Sequence, residues 1–571
     1  MRGAHQSLCL VLWILPVLTL LAACTPAAPA NSMPSAKSTQ PAVGAPTVQT
    51  DRAAPADSLA PANEKSLGRT PTTGGALTVG LNSQIAALDP NKLSSAIDES
   101  LSYQLYDRLV AVSSRGARID PWLASAWTMS PDGRAYVFKL RSDVKFHDGG
   151  SFDANSAKKN FERLSASAAD ARIREIARRL KTVSAPDDTT LRVELDSPFP
   201  AFLTALEAVP MLSPAAWERW GDDFGQHPVG TGPFKLKEWV PQDHFTLERN
   251  PDYAWPPATS TNPGPAYLDS VTFKLIQDPP ARLVSLESGD TQMITYTPLQ
   301  DVARIASEAG FKIVRGSSPG MPLTFFVNLN YGLLADRQVR VAIQSALDRS
   351  DIIQAGGYGV PIPAAGLLSS TTRCFSDSFG AAFPFDPSRA RQLLDEAGWL
   401  VGPDGIREKD SDRLTFDLVH FPDYANVAAV VQGQLREIGI QVDLKMLDLA
   451  AAVALMRAGQ APSFLVGGIY TDASVLSSWF HSRAIGTSSA SGAVLKDAQI
   501  DALLDHAAQE PDPDKQCMLY QQFEQRYLDA AVAYPVWEVV AVLAMRSNVE
   551  GVRLVPAAPN LPLFQEVYLD R

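Results

Sequence analysis

Between Thr25 and about Gly75 the chain is mostly Ala, Pro, Ser and Thr, with no periodic apolar pattern. Such a segment cannot bury enough surface to offset the entropy of ordering it. It divides the 571 residues into a leader, a tether over 24–75 expected to be disordered, and a body that starts at residue 76. The body holds roughly 500 residues, more than one hydrophobic core organises, which predicts two or three domains.

Ahead of the tether stand Arg2, an apolar run from Leu8 to Leu20 and small residues at a cleavage point. This is the pattern of a secretory signal peptide over 1–23. The ending Leu21-Ala22-Ala23-Cys24 resembles a bacterial lipobox, which implies that Cys24 becomes the lipidated first residue of the mature protein. Ordinary cleavage near Ala23 beside an incidental cysteine is the alternative. The apolar run is short for a membrane span, and no other segment approaches 18 uninterrupted apolar residues. Lipid on Cys24 would then be the sole anchor, with the body in water outside the cytoplasm.

The balance of charge, 50 basic against 62 acidic residues, argues against nucleic acid and against electrostatic binding to anionic lipid. Four cysteines occur. Cys9 leaves with the leader and Cys24 is assigned to lipid, so Cys374 and Cys517 remain, either paired or as two separate buried thiols.

Local signals in the body are mixed. A strand follows Gly74-Gly75 at Ala76–Leu81, and Ser130-Pro131-Asp132-Gly133 makes the turn of a hairpin running from Trp127 to Leu140. Tyr136, Phe138 and Leu140 fall on one face of it by alternation. Asp153 and Asp386 read as N-caps of helices, the latter with Pro387 in its first turn and Gly398 as its stop, and Asp336 precedes a segment whose Val339, Ile343, Ala346 and Leu347 share one helical face. Gly230-Thr231-Gly232 reads as a tight turn into a strand.

No His-Glu-x-x-His pair, Walker A lysine or Gly-x-Gly-x-x-Gly fingerprint occurs, and no catalytic residue and no cofactor are assigned. His147-Asp148, followed by Gly149 and Gly150, reads as a surface turn rather than a catalytic dyad. Six histidines lie beyond the leader (His147, His227, His244, His420, His481 and His506), none at metal-ligand spacing, so no metal site is assigned.

Several blocks in one order carry a resemblance. Pro121 to Trp127, the hairpin and Leu140 to Gly149 come first; Gly230 to Leu236 and Glu248 to Tyr253 follow. Asp336 to Ala342 with Leu347-Asp348-Arg349, Asp386 to Gly398, Gln434 to Ile440 and Ser547 to Val552 complete the set. Over nearly all of 76–571 the chain is similar to family 5 extracellular solute-binding proteins, the oligopeptide, dipeptide and nickel receptors of ABC importers.

The resemblance implies an α/β, two-lobed periplasmic-binding-protein-like clamp of class II with an extra subdomain. Lobe I would comprise 76–317, with the subdomain near 112–227, and the return 541–571. Lobe II would comprise 318–540. The hinge would lie near Ser317–Leu323 and Tyr534–Val540. A small peptide or peptide-like solute would be enclosed between the lobes, unaltered chemically, and delivered by a monomer to permease and ATPase subunits. Alternatives keep the clamp for a nickel chelate, sugar oligomer or opine-like solute, or make it a sensor or chaperone without a transporter.

In peptide-binding relatives an aspartate in a segment like Trp-x-x-Asp-x-x-Asp-Pro meets the ligand's free amine. The matching stretch is Gly467 to Ser474, where Asp472 fits the later acidic position and Gly468 or Ile469 stands near the earlier one. Asp472 reads equally as a helix cap before Val475. Tyr470 and Trp479 would stack on a ligand or fill the core. Arg373 would fork onto a carboxylate or sit in solvent. Tyr103 and Ser83 are the first-lobe candidates.

Overall fold

The computed structural model describes residues 70–83, 85, 88–92, 96–112, 118–164, 171–377, 384–470, 472–488, 490–554 and 560–570. The leader, Cys24 and the tether as far as residue 69 lie outside the described residues. Among the described residues no helix is long and apolar enough to cross a membrane.

The strand Ala76–Leu81 follows Gly74 and Gly75, at φ of 102° and 99°. This strand lies inside a seven-stranded mixed sheet. In spatial order the strands are Phe311–Ser317, Val540–Arg546, Met293–Ile294, Ala76–Leu81, Ser270–Leu275, His244–Arg249 and Phe234–Val240. Leu77, Val79, Phe245, Val271, Phe273 and Leu543 supply its core.

The hairpin read from Ser130-Pro131-Asp132-Gly133 joins Ala124–Met129 to Ala135–Leu140, with Gly133 at φ 67°. With Thr190–Leu195 and Leu180–Asp187 it makes a separate four-stranded sheet. Tyr136, Phe138 and Leu140 face a core closed by Phe161 and Phe202. Asp153 caps Ala154–Glu162 through a full capping box.

A second large sheet has the order Ile362–Pro363, Ala533–Glu538, Gly320–Val327, Ser463–Ile469, Thr415–His420 and Gln441–Met446. Helices pack on it through Val339, Ile343, Leu394, Val431 and Phe523. Two of these helices are the ones read from the sequence after Asp336 and Asp386, and both aspartates cap them: Asp336 accepts from the Gln338 N–H and Asp386 from that of Arg389.

The chain passes between the two large sheets twice, from Ser317 to Gly320 and from Glu538 to Val540. The passages are tied together. The Ser318 N–H donates to the Val539 carbonyl at 2.8 Å. The buried Glu538 carboxylate accepts from the Ser370 N–H at 2.7 Å, from the Ser370 hydroxyl at 2.8 Å and from the Ser317 hydroxyl. Thr372 Oγ1 accepts from the Gly320 N–H at 2.6 Å. Directly after this bracing segment, Cys374 forms a disulfide with Cys517.

Gly230 and Gly232 do more than turn the chain. A Cβ on Gly230 would stand 2.2 Å from the Leu105 carbonyl oxygen, and one on Gly232 would stand 2.5 Å from the Leu105 carbonyl carbon. His147 reads the same turn: Nδ1 accepts from the Gly230 N–H and Nε2 donates to the Gly232 carbonyl at 3.0 Å. Burial pushes its imidazole down to about 4, so it stays neutral. Asp148 faces elsewhere, toward Ser213 and the Gly150 N–H, so the two residues form no dyad. Because backbone rather than a flexible side chain blocks the space, Gly232→Ala is expected to lower stability by about 3 kcal/mol. Urea unfolding checks this, and an unchanged midpoint would refute the close-approach account.

Candidate functional site

Strand direction brings two sets of strand ends together. Val540–Arg546 runs antiparallel to both Phe311–Ser317 and Met293–Ile294, and the latter is parallel to Ala76–Leu81. The Leu81, Ile294 and Ser317 ends therefore share the edge of the first sheet from which the chain departs to the second. In the second sheet Ile469 stands opposite Gly320, and the His420 and Met446 ends follow by parallel pairing. Carboxyl ends of strands from both sheets thus point to the junction, the place where open α/β folds hold ligands.

On the first-sheet rim Arg282 is the organiser. It reaches from the helix Pro279–Ser288 and donates to the carbonyls of Thr295, Tyr296, Ile276 and Gln277 at 2.8 to 3.1 Å. Tyr296 is held at φ 49° with 45% of its surface exposed. A bulky side chain in that region is strained, and such strain gathers at functional positions. Crowding around its hydroxyl and the Asp423 carboxylate of the other rim push Tyr296 above the usual tyrosine value. Ser83 lies on the same side, lining a small cavity with Trp239 and His244.

The second-sheet rim carries the aromatic and acidic groups. Tyr470 follows the strand Ser463–Ile469, donates its N–H to the Pro319 carbonyl at 2.9 Å, and meets the Trp479 ring edge-on at 5.4 Å. Its ring lies over Gly468, where an added Cβ would stand 2.6 Å from Cε2. A larger residue at Gly468 and the present Tyr470 rotamer are therefore incompatible. Asp472 is half-buried, and its Oδ1 accepts from the Ser474 N–H at 2.8 Å ahead of the helix Val475–Phe480. Asp423 and Asp448 add negative charge to this rim. Tyr424 beside them is pushed up to about 12 by burial and then by Asp423.

The remaining candidates stand elsewhere. The Arg373 fork donates to Gln516 Oε1 and the Pro513 carbonyl beside the disulfide. Tyr103 is buried under the Arg108 guanidinium, 3.5 Å above its ring, and is stacked against Trp122. The sequence reading passed over Tyr296, Asp423 and Tyr358, which is also at positive φ and bonded to Asn426. Each follows a strand or a helical segment at the junction, a position legible only once strand order is known.

Comparison with known proteins agrees with this geometry. The model of bacterial extracellular solute-binding proteins, family 5 Middle, matches residues 118–487. The glutathione-binding protein GsiB of Salmonella paratyphi A is 27% identical over 491 residues, covering 84% of this chain and 92% of the relative. NikA from Brucella suis, solved with Fe(III)-EDTA, matches at TM-score 0.76 and 26% identity, covering 87% of this chain and 100% of that one. The oligopeptide-binding protein AppA from Bacillus subtilis, solved with a nonapeptide, gives 0.69 and 25% over 88% and 100%. With two large sheets joined by two passages and their strand ends opposed, this chain belongs to the family 5 extracellular solute-binding proteins and is a two-lobed α/β solute receptor.

Proposed function

We propose that the receptor encloses a small peptide or peptide-like solute between the two rims and hands it to the permease of an ABC importer. The observation that carries this reading is the second-sheet rim, where Tyr470, edge-on to Trp479, is followed along the chain by the half-buried Asp472, and where Asp423 and Asp448 follow neighbouring strands of the same sheet. Aromatic walls with a carboxylate suit an extended solute bearing a cationic amine. Glutathione and a nonapeptide, bound by the relatives named above, support the same chemistry.

In this reading Asp472 takes the ammonium, Tyr470, backed by the buried Trp479, flanks the chain, and Ser83 and Tyr296 close on it from the first lobe. Arg373 and Tyr103 are left out, because their polar and ring faces are engaged within the fold. Lobe I spans 76–317 and 541–571, lobe II spans 318–540, and the Glu538–Ser317–Ser370 cluster is the hinge between them. The protein acts as a monomer, tethered outside the cytoplasm by lipid on Cys24.

Native mass spectrometry of residues 76–571, before and after unfolding and refolding, reads any co-purified solute directly. With tri-alanine as probe, Asp472→Asn is expected to weaken binding by about tenfold or more, the size of one charge-assisted hydrogen bond. N-acetyl-tri-alanine should bind wild type and variant alike. Equal loss for both probes would refute the ammonium role.

A further inference from the structure

A loop that belongs to the second sheet is seated against the first. The π-helical turn Ile352–Gly356 leads through Gly357, Tyr358 and Gly359 to Val360, and then into Ile362–Pro363, the outermost strand of the second sheet. That strand pairs with Glu538 and Trp537, which fixes the loop beside the second passage. Val360 is nevertheless buried in one cluster with Val302 and Val542, against which Leu299, Ile313 and Val540 pack. Arg315, on the first-sheet strand Phe311–Ser317, donates to the Val360 carbonyl at 2.8 Å.

The seat is one face of the strand pair that continues into both passages. Arg315 stands opposite Val542 and Ser317 opposite Val540 in an unbroken register, so Ile313, Arg315, Val540 and Val542 share that face by alternation. The loop that meets it is stiff. The Gly359 N–H donates to the Ile353 carbonyl at 2.9 Å and the Val360 N–H to the Gly357 carbonyl at 3.0 Å. A Cβ on Gly357 would stand 2.8 Å from Pro361 Cδ and 3.0 Å from the Trp537 ring. Tyr358 is held at φ 55°, with its hydroxyl accepting from Asn426. A bulky residue at positive φ and a π-helical turn both gather at functional positions.

We propose that Val360 and Arg315 are positioning residues for solute capture, a peg and its seat that favour the closed clamp before solute arrives. Rotation about the two passages turns the strand-pair face against a loop fixed to the second sheet. Opening therefore exposes Val360 and breaks the Arg315 bond. Neither residue touches solute; both act through the fraction of empty receptor that is already closed, which scales the affinity. The proposal rests on the reading that the lobes close on the solute, and adds what sets their resting balance.

The test compares residues 25–571 of wild type, Val360→Ala, Arg315→Met and Arg315→Lys, with thermal unfolding to confirm that each is folded. Small-angle X-ray scattering without solute reads the opening of the clamp, and calorimetry with tri-alanine reads affinity. Val360→Ala removes two methyl groups from the seat, and Arg315→Met keeps the test valid if that variant fails to fold. Both should show a larger radius of gyration than wild type and bind tri-alanine about fivefold more weakly, through faster release. Arg315→Lys, which retains a donor, should lie nearer wild type. An unchanged radius in the folded variants would overturn the peg, whatever tri-alanine does. So would unchanged or tighter binding, and the cleft reading would stand. No binding of tri-alanine by wild type, with the variants still expanded, would overturn the peptide reading and support the peg.

Discussion

Removing the Cys374–Cys517 bond is expected to cost about 2–5 kcal/mol of stability. The bond spans 143 residues, so in its absence the unfolded chain regains a large amount of conformational freedom. It also anchors the segment that braces the sheet junction, because Arg373 binds Gln516 and Pro513 while Ser370 and Thr372 bind Glu538 and Gly320. Urea unfolding of Cys374→Ser/Cys517→Ser against wild type, and of wild type with and without reductant, reads the effect. A midpoint indifferent to both treatments would refute it. A finer control is available. Cys374 sits at φ 65°, a region that costs a non-glycine residue of order 1–3 kcal/mol. Cys374→Gly/Cys517→Ser should therefore be more stable than the double serine variant.

The second large effect is a loss of stability as pH rises above the acid range. Burial pushes Asp107 up to about 7 and both Glu207 and Glu524 up to about 8. A carboxyl whose folded value is raised contributes stability that is whole below its unfolded value near 4, and it is lost as pH climbs through the folded value. Asp107 therefore subtracts stability between about pH 4 and 7, and Glu207 and Glu524 between about pH 4 and 8. Glu566 works in the opposite sense. Burial alone would raise it, but Arg553, with the Thr261 N–H and the Ser260 hydroxyl, outweighs burial and holds it low. Its contribution is present above its unfolded value and disappears as pH falls through the folded one. Thermal unfolding across pH should peak in the mildly acidic range and fall by several kcal/mol toward pH 8. Glu524→Gln isolates one contributor, since its side-chain oxygen can still accept from the Leu367 N–H that Glu524 bonds. That variant should gain stability at pH 8 and show a shallower fall. An equal slope in variant and wild type would show that Glu524 is ionised throughout.

Much of the local structure was legible before any coordinates. The helices that follow Asp153, Asp336 and Asp386, the Ser-Pro-Asp-Gly hairpin and the opening strand each depend on a handful of adjacent residues, and all five stand where the pattern predicts. The glycine pair at 230 and 232 was legible only as a turn, because the Leu105 backbone that excludes a side chain comes from more than a hundred residues away. The same distance hid the pairing of Cys374 with Cys517.

The candidate site divides along that line. Tyr470, Trp479 and Asp472 were reachable from one short segment, whereas Tyr296 and Asp423 fall on opposing rims only because of the order and direction of the strands they follow. Arg373 shows the converse. Its sequence surroundings suit a ligand carboxylate, but folding places Gln516 and the Pro513 carbonyl within its fork. Caps, turns and alternation are set by neighbours in the chain, so the sequence alone determined the elements and, through their order, the family. Which groups confront one another across the junction depends on strand order and on close approach of distant backbone, and only the tertiary structure decided that.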